Sequence, residues 1–327
     1  MPTELAGYRT IGQVGVGARS TITRVVRVTT GQYFALKRVV RREPEDDRFL
    51  RQCEIEYEVS SGIDHPNLRR SFELHRYKKW FRLSELLMLM EFVPGKTVES
   101  DRPADIGRTI EVFKEVASGL NALHDGGFVH ADIKPNNILL TDKGGVKIID
   151  FGQSCPMGHK KDRIQGTPDY IAPEQVRRLP LDRRTDVFNL GATLYWVLTN
   201  KAYPTDIRQN TKPGSHEIVG AVRAPKDLVP GVPVALSTLV MDCCSVKPEG
   251  RPADMTQVIA RLEAVKRRWL GQGDDASRGE SGNGVESSSS PSPRRVVTDG
   301  GEAGDAPANK GRTHGRPDQH APKRTDP

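Results

Sequence analysis

The chain is short of cysteine, of long apolar runs and of charge of one sign, and each shortage removes a class of protein. Its 327 residues include four cysteines, Cys53, Cys155, Cys243 and Cys244, with no CxxC pair and two of them adjacent. Neither a disulfide framework nor a zinc knot is indicated, and a reducing compartment fits best. No apolar run approaches the roughly 18 residues that span a bilayer. The opening MPTELAGYRT also lacks a basic flank followed by an apolar stretch, so a cytoplasmic chain without membrane insertion is expected. A net charge of +7 is modest for this length and implies no nucleic-acid partner. No internal repeat is evident.

What is present is 36% apolar and 28% charged residues, enough for one large core or two small ones. Composition changes after residue 270. Of the 57 residues 271–327, Gly (10), Ser (7) and Pro (6) make up 23, with no periodic apolar face, so this segment reads as a disordered tail. Ser287 to Ser290 and Ser292 within it are candidate sites of self-phosphorylation.

The first 93 residues or so read as short strands with one helix. Residues 21–29 and 32–40 are rich in β-branched and aromatic side chains around a Thr30-Gly31 turn, the pattern of a hairpin. A helix is expected over 47–61, with Phe49, Cys53 and Tyr57 along one face, Asp46 as its cap and Gly62 at its end. Residues 83–92 suit a buried strand, broken by Pro94-Gly95. Beyond the break, apolar periodicity predicts helices over 106–124, 184–198, 234–243 and 255–269, with two short strands at 137–140 and 146–149. A strand-rich small lobe joined to a helical large lobe places a cleft near residues 91–95.

Three constellations carry chemistry. Gly15-Val16-Gly17-Ala18-Arg19-Ser20-Thr21-Ile22 leads into the hairpin. Glycines let backbone amides approach phosphate oxygens, although Gly12, Gly15 and Gly17 also suit ordinary turns. No Gly-Lys-Ser/Thr follows, which excludes a Walker loop. Phe34-Ala35-Leu36-Lys37 sets a lysine in an apolar strand, where its ammonium needs a carboxylate partner unless it lies on an exposed edge. Glu54, Glu56 and Glu58 are the candidates on the following helix, and they cannot all face Lys37 together. The third constellation is His130-Ala131-Asp132-Ile133-Lys134-Pro135-Asn136-Asn137, followed by Asp150-Phe151-Gly152. Two antiparallel strands would bring Asn137 and Asp150 together, so that an amide and a carboxylate oxygen share Mg²⁺ while Asp132 stands clear to receive a proton.

Taken in order, these motifs resemble the eukaryotic-like serine/threonine protein kinase family, in the form found also in bacteria. The resemblance implies an α+β, two-lobed protein kinase fold over 8–270, with the lobes meeting near residue 94, ATP between them, and a protein substrate. By resemblance Gly15, Gly17 and Ser20 cover the phosphates, with Ser20 at the usual third glycine and Ile22 at the usual valine. Lys37 matches the α/β-phosphate lysine and Glu56 its most suitable partner. Ala35, Met90, Glu91 and Val93 match the adenine pocket and hinge. Asp132 matches the catalytic aspartate and Lys134 the lysine of serine/threonine-specific members. Asn137 and Asp150 match the Mg²⁺ ligands, and Thr167, in Gly166-Thr167-Pro168-Asp169-Tyr170-Ile171-Ala172-Pro173-Glu174, the acceptor-site threonine. Glu174 would pair with Arg251, and Asp186 would support the catalytic loop. Ala131 stands where many members carry arginine, so a kinase active without a phosphate clamp at that position is expected. The alternative is a pseudokinase or scaffold, although Lys37, Asp132 and Asp150 are all present.

Overall fold

The computed structural model describes residues 5–17, 19–204 and 222–279, with backbone alone for 270–279. The β-branched and aromatic side chains near the start suit a pleated surface. They build an antiparallel sheet of β1 (Tyr8–Val16), β2 (Ser20–Arg27), β3 (Tyr33–Val40), β4 (Ser71–Lys79) and β5 (Arg82–Glu91), ordered β1-β2-β3-β5-β4. The β2–β3 turn closes where expected, with Gly31 at φ 71 and its N–H donating to Arg27 O at 2.9 Å. The side-chain period of two sends Ala35 and Val39 to one face of β3 and Phe34 and Leu36 to the other. Helix α1 (Asp47–Gly62) covers the first face, where Leu50 and Cys53 join Ala35, Val39, Leu86, Met88 and Met90, with Phe49 and Tyr57 packed alongside. Phe34 and Leu36 meet Leu5, Val25, Leu87 and Leu89 on the second face.

Asp46 does not cap α1. Its own backbone is helical (φ −73), ending a 3-10 turn, Pro44–Asp46, and its carboxylate turns back to accept from the Arg42 and Glu43 N–H groups at 2.8 and 3.1 Å. Arg19, in the glycine-rich turn, closes on the same carboxylate at 2.7 Å. These donors outweigh burial and hold the Asp46 carboxyl down at about 2.

Past residues 92–94 the chain becomes mainly helical. α2 (Ile106–Asp125) starts at Asp105, whose carboxylate accepts from Arg108 N at 2.7 Å, and it buries Ile110, Phe113, Val116, Ala117, Leu120 and Leu123. α3 (Pro173–Val176) is a single turn, and α4 (Arg183–Thr199) is capped by Asp182 and ended by Asn200 in the left-handed conformation. The short α5 (Pro225–Leu228), α6 (Val234–Cys243) and α7 (Met255–Gly279) share the same core. All four cysteines are free and buried. Short strands β6 (Gly95–Thr97), β8 (Ile138–Thr141) and β9 (Val146–Ile148) form a second sheet, and β7 (Phe128–Val129) pairs with β10 (Cys155–Pro156). The two-lobed α+β fold is therefore present. The backbone of α7 runs nine residues past the compositional boundary at 270, and residues 280–327, with the serines at 287–290 and 292, lie outside the described residues.

Candidate active site

Lys37 sits on the third of five strands, a central one, so the exposed-edge alternative does not hold. Its place in the alternation with Ala35 and Val39 turns it toward α1, where its ammonium donates to Glu56 Oε2 at 2.5 Å. Of the three candidate carboxylates only Glu56 faces inward, with no solvent exposure. Glu54 instead accepts from Arg76 at 3.0 Å. Arg69 donates to the other Glu56 oxygen, so two cations meet one buried carboxylate. Burial works against the Lys37 charge, but Glu56 and Asp150 outweigh it and raise the ammonium's pKa. Burial likewise works against ionised Asp150, and Lys37 and Arg69 override it, holding that carboxyl below its usual range.

The loop from His130 to Asn137 is held from beneath. The Asp186 carboxylate, wholly buried at the start of α4, accepts from the N–H groups of His130 and Ala131, both at 2.8 Å, and contacts His124 Nε2 at 2.8 Å. Ala131 adopts φ 61, and Gln175 Nε2 donates to its carbonyl at 2.7 Å. A left-handed non-glycine residue persists when its surroundings over-determine it, and Asp186 and Gln175 do so here. Burial keeps the His130 ring neutral by lowering its pKa. Its Nδ1 accepts from Asp132 N at 3.3 Å, which leaves the proton on Nε2.

Asp132 is thereby presented with both oxygens engaged. Oδ1 accepts from Thr167 N and Oγ1, each at 3.0 Å, and Oδ2 accepts from Lys134 Nζ at 2.9 Å. Lys134 Nζ also donates to Thr167 Oγ1 at 2.8 Å, closing a triangle of side chains. Asn137 Nδ2 donates to Asp132 O at 2.8 Å, and its own carbonyl accepts from Ile149 N at 2.9 Å. Since Ile138 pairs with Ile148, the β8–β9 ladder sets Asn137 opposite Ile149, the residue before Asp150. The committed Nδ2 leaves the Asn137 amide oxygen as the atom free to ligate, and the Asp150 carboxyl, its pKa lowered by Lys37 and Arg69, supplies a second oxygen donor. Two hard oxygen donors of this kind suit Mg²⁺.

A cavity of about 250 Å³ is lined by Lys37, Glu56, Asp132, Lys134 and Asp150, with Arg19 and Ser20 from the glycine-rich turn. Gly17 N donates to Ser20 O at 2.8 Å, and a Cβ on Gly17 would fall 2.6 Å from Ser20 Oγ, a contact that rotation of the serine side chain relieves. A Cβ on Gly15 would make ordinary contact with Ile22 at 3.6 Å. Ala18 lies outside the described residues. At the hinge, Met90 is buried and pairs with Ala35 across β3 and β5, and Ile22 packs on the same apolar cluster. The Glu91 carboxylate is engaged by Lys147 at 2.9 Å and by Arg70 N at 3.2 Å. The Val93 N–H and C=O pair with no backbone group among the described residues, which leaves a donor and an acceptor on the segment between β5 and β6.

Behind the site, Arg251 donates to both Glu174 oxygens at 2.7 and 2.9 Å, as expected. The segment after Asp150 is tied down by β10 and by Lys161 Nζ, which donates to Gln153 O at 2.6 Å. Lys161 is thus half-buried, whereas His159 and Lys160 beside it are exposed. Three contributors went unread in the sequence: Arg69 on Glu56, Gln175 under Ala131, and the His130 ring, which packs edge-on against Phe151 at 5.5 Å.

The protein kinase domain family matches residues 8–269. A "probable serine/threonine-protein kinase" of Clostridium acetobutylicum is 25% identical over 279 residues, 83% of this chain and 42% of that protein. Serine/threonine-protein kinase PknL of Mycobacterium tuberculosis is 28% identical over 79% of this chain and 65% of its own length. Human mitogen-activated protein kinase kinase kinase 4 is 31% identical over 58% of this chain and 12% of its own. The chain thus aligns with less than two thirds of the length of each of these relatives. With a family match over most of its length, and with the lysine and both aspartates of the motifs lining one cavity, the chain belongs to the protein kinase family.

Proposed function

We propose that this chain is a serine/threonine protein kinase that transfers the γ-phosphoryl group of ATP to a protein hydroxyl. One observation carries the reading: the Asp132 carboxylate is held by Thr167 on one oxygen and Lys134 on the other, on a cavity it shares with Lys37 and Asp150. A carboxylate so placed orients an acceptor hydroxyl and takes its proton. Lys134 steadies the transferring group, and Thr167 fixes the carboxylate rotamer. Lys37, aligned by Glu56 and Arg69, binds nucleotide phosphates under the turn of Gly15, Gly17 and Ser20. Adenine lies against Ala35, Ile22 and Met90, with its edge on the backbone of Glu91 and Val93. Asn137 and Asp150 would hold Mg²⁺, which when bound neutralises charge on the phosphate oxygens.

Residues 8–270 act as the catalytic domain and 271–327 as a tail. The bacterial form of the family is favoured, because its members align over more of the chain than the animal relatives do. A cytoplasmic, reducing location is supported by the four free thiols. Activity without a phosphate clamp is supported by the ties that already fix the catalytic loop from within the protein, Gln175 on the Ala131 carbonyl and Asp186 on its N–H.

The test is transfer of label from γ-labelled ATP, with Mg²⁺, to a generic basic protein and to the chain itself. Label recovered on serine or threonine is expected. Label on tyrosine would overturn the residue class, and nucleotide binding without transfer would replace the enzyme with a scaffold.

A further inference from the structure

β4 and β5 are joined by the shortest of hairpin turns. Lys79 faces Arg82 across the ladder, so Trp80 and Phe81 alone make the turn. Such turns favour asparagine, aspartate or glycine, because a central residue takes positive φ. Trp80 occupies that place at φ 58, where the Cβ of a bulky residue crowds its own backbone. The strain gains no packing in return: Trp80 and Phe81 are 88% and 95% exposed, the highest values among the exposed large apolar side chains described. Residues 76–82 contain four basic residues and no acid. Arg76 is paired with Glu54, whereas Lys78, Lys79 and Arg82 are exposed and enter no side-chain ion pair among the described residues. Elsewhere on this lobe Arg38 and Arg41 are neutralised by Glu85 and Asp47.

We propose that this turn docks the strand-rich lobe on an anionic lipid surface, with Trp80 and Phe81 seated at the headgroup level and Lys78, Lys79 and Arg82 against the phosphates. A hollow of about 510 Å³ opens beside the turn at Arg82 and Leu83, but neither ring lines it; two rings with no protein packed over them need a medium that yields around them, as a lipid interface does. Tryptophan favours that depth, and juxtamembrane basic residues add attraction to anionic lipid. The docking is peripheral, since no helix among the described residues is long and apolar enough to cross a membrane. β5 carries the chain from this tip to Glu91 over ten residues, so the hinge stands about 30 Å from the lipid, and the cleft stays open to a protein substrate.

The experiment is co-sedimentation of the full chain with phosphatidylcholine vesicles, with and without phosphatidylserine. Partition about tenfold stronger with phosphatidylserine is expected, weakening as salt rises. The double variants Trp80→Ser/Phe81→Ser and Lys78→Glu/Lys79→Glu each return binding to the phosphatidylcholine level while thermal unfolding stays near wild type. Trp80→Phe keeps the binding and removes the blue shift of tryptophan emission. Absence of partition, or partition unchanged in both double variants, overturns the proposal. Self-association lost in Trp80→Ser/Phe81→Ser, without lipid binding, overturns it in favour of an interface between two copies of the chain.

Discussion

Two buried glutamates anchor the two lobes, and the difference between them separates chemistry from architecture. Glu174 receives Arg251 on both oxygens and Thr185 Oγ1 on one. Arg251 gives its remaining donors to the carbonyls of Arg184, Ser245 and Val246. Every group there is satisfied by protein. Glu56 also receives two cations, but Lys37 has three N–H donors, gives one to Glu56, and faces a cavity that holds Asp150. Donor capacity left over beside a cavity marks a ligand site; the same charges fully satisfied mark a strut.

Substitutions on the two sides should separate accordingly. Lys37→Met is expected to lower phosphoryl transfer by about 10²-fold or more, with unfolding free energy within about 1 kcal/mol of wild type because Arg69 still pairs Glu56. Urea unfolding beside an activity assay checks both. Arg251→Met should do the reverse: leaving Glu174 buried without its cation costs about 3–5 kcal/mol, read as a lower urea midpoint, and any folded fraction retains nucleotide binding. Smaller still, Thr167→Ala removes one hydrogen bond to a charged carboxylate and should slow turnover about tenfold, while Thr167→Ser restores it in the same assay.

The titration of His130 tests how far burial governs the loop beneath Asp132. Its folded pKa lies below the ordinary histidine value, so the unfolded chain binds the proton more readily as pH falls. The stability contributed by this ring is therefore present above about pH 6.5 and is lost as pH falls toward its folded value. Melting temperature measured from pH 8 to 5 should decline over that span, and less steeply in His130→Phe. The smallest expected effect lies farthest from either glutamate. Trp80→Asn relieves the left-handed strain at the hairpin tip and should stabilise the chain by about 1 kcal/mol, read by thermal unfolding.

The same contrast explains what was legible in the sequence. α2 announced itself because one side of it is continuously apolar, and α4, buried on all sides, because apolar residues run through it from Val187 to Leu198; the bounds of both fall within a residue of expectation. β1 and β4 went unread because they are the edge strands of the sheet, half exposed, so polar residues such as Gln13, Glu73 and Arg76 interrupt the alternation. Asp132, Asn137 and Asp150 were legible because two short strands separated by a turn bring them together locally. Gln175 and Ala131 lie 44 residues apart, and Arg69 and Glu56 sit on different elements, so no local pattern announces either contact. Glu56 was singled out from its neighbours by resemblance, and its burial gives the physical reason.

Phosphate transfer and nucleotide binding measured in the same samples, for wild type, Asp132→Asn and Lys37→Met, test the account most directly. The account predicts that wild type binds ATP·Mg²⁺ and labels serine or threonine, that Asp132→Asn binds without transferring, and that Lys37→Met is impaired in both. Transfer by Asp132→Asn at the wild-type rate, or wild type binding nucleotide without transfer, would contradict it.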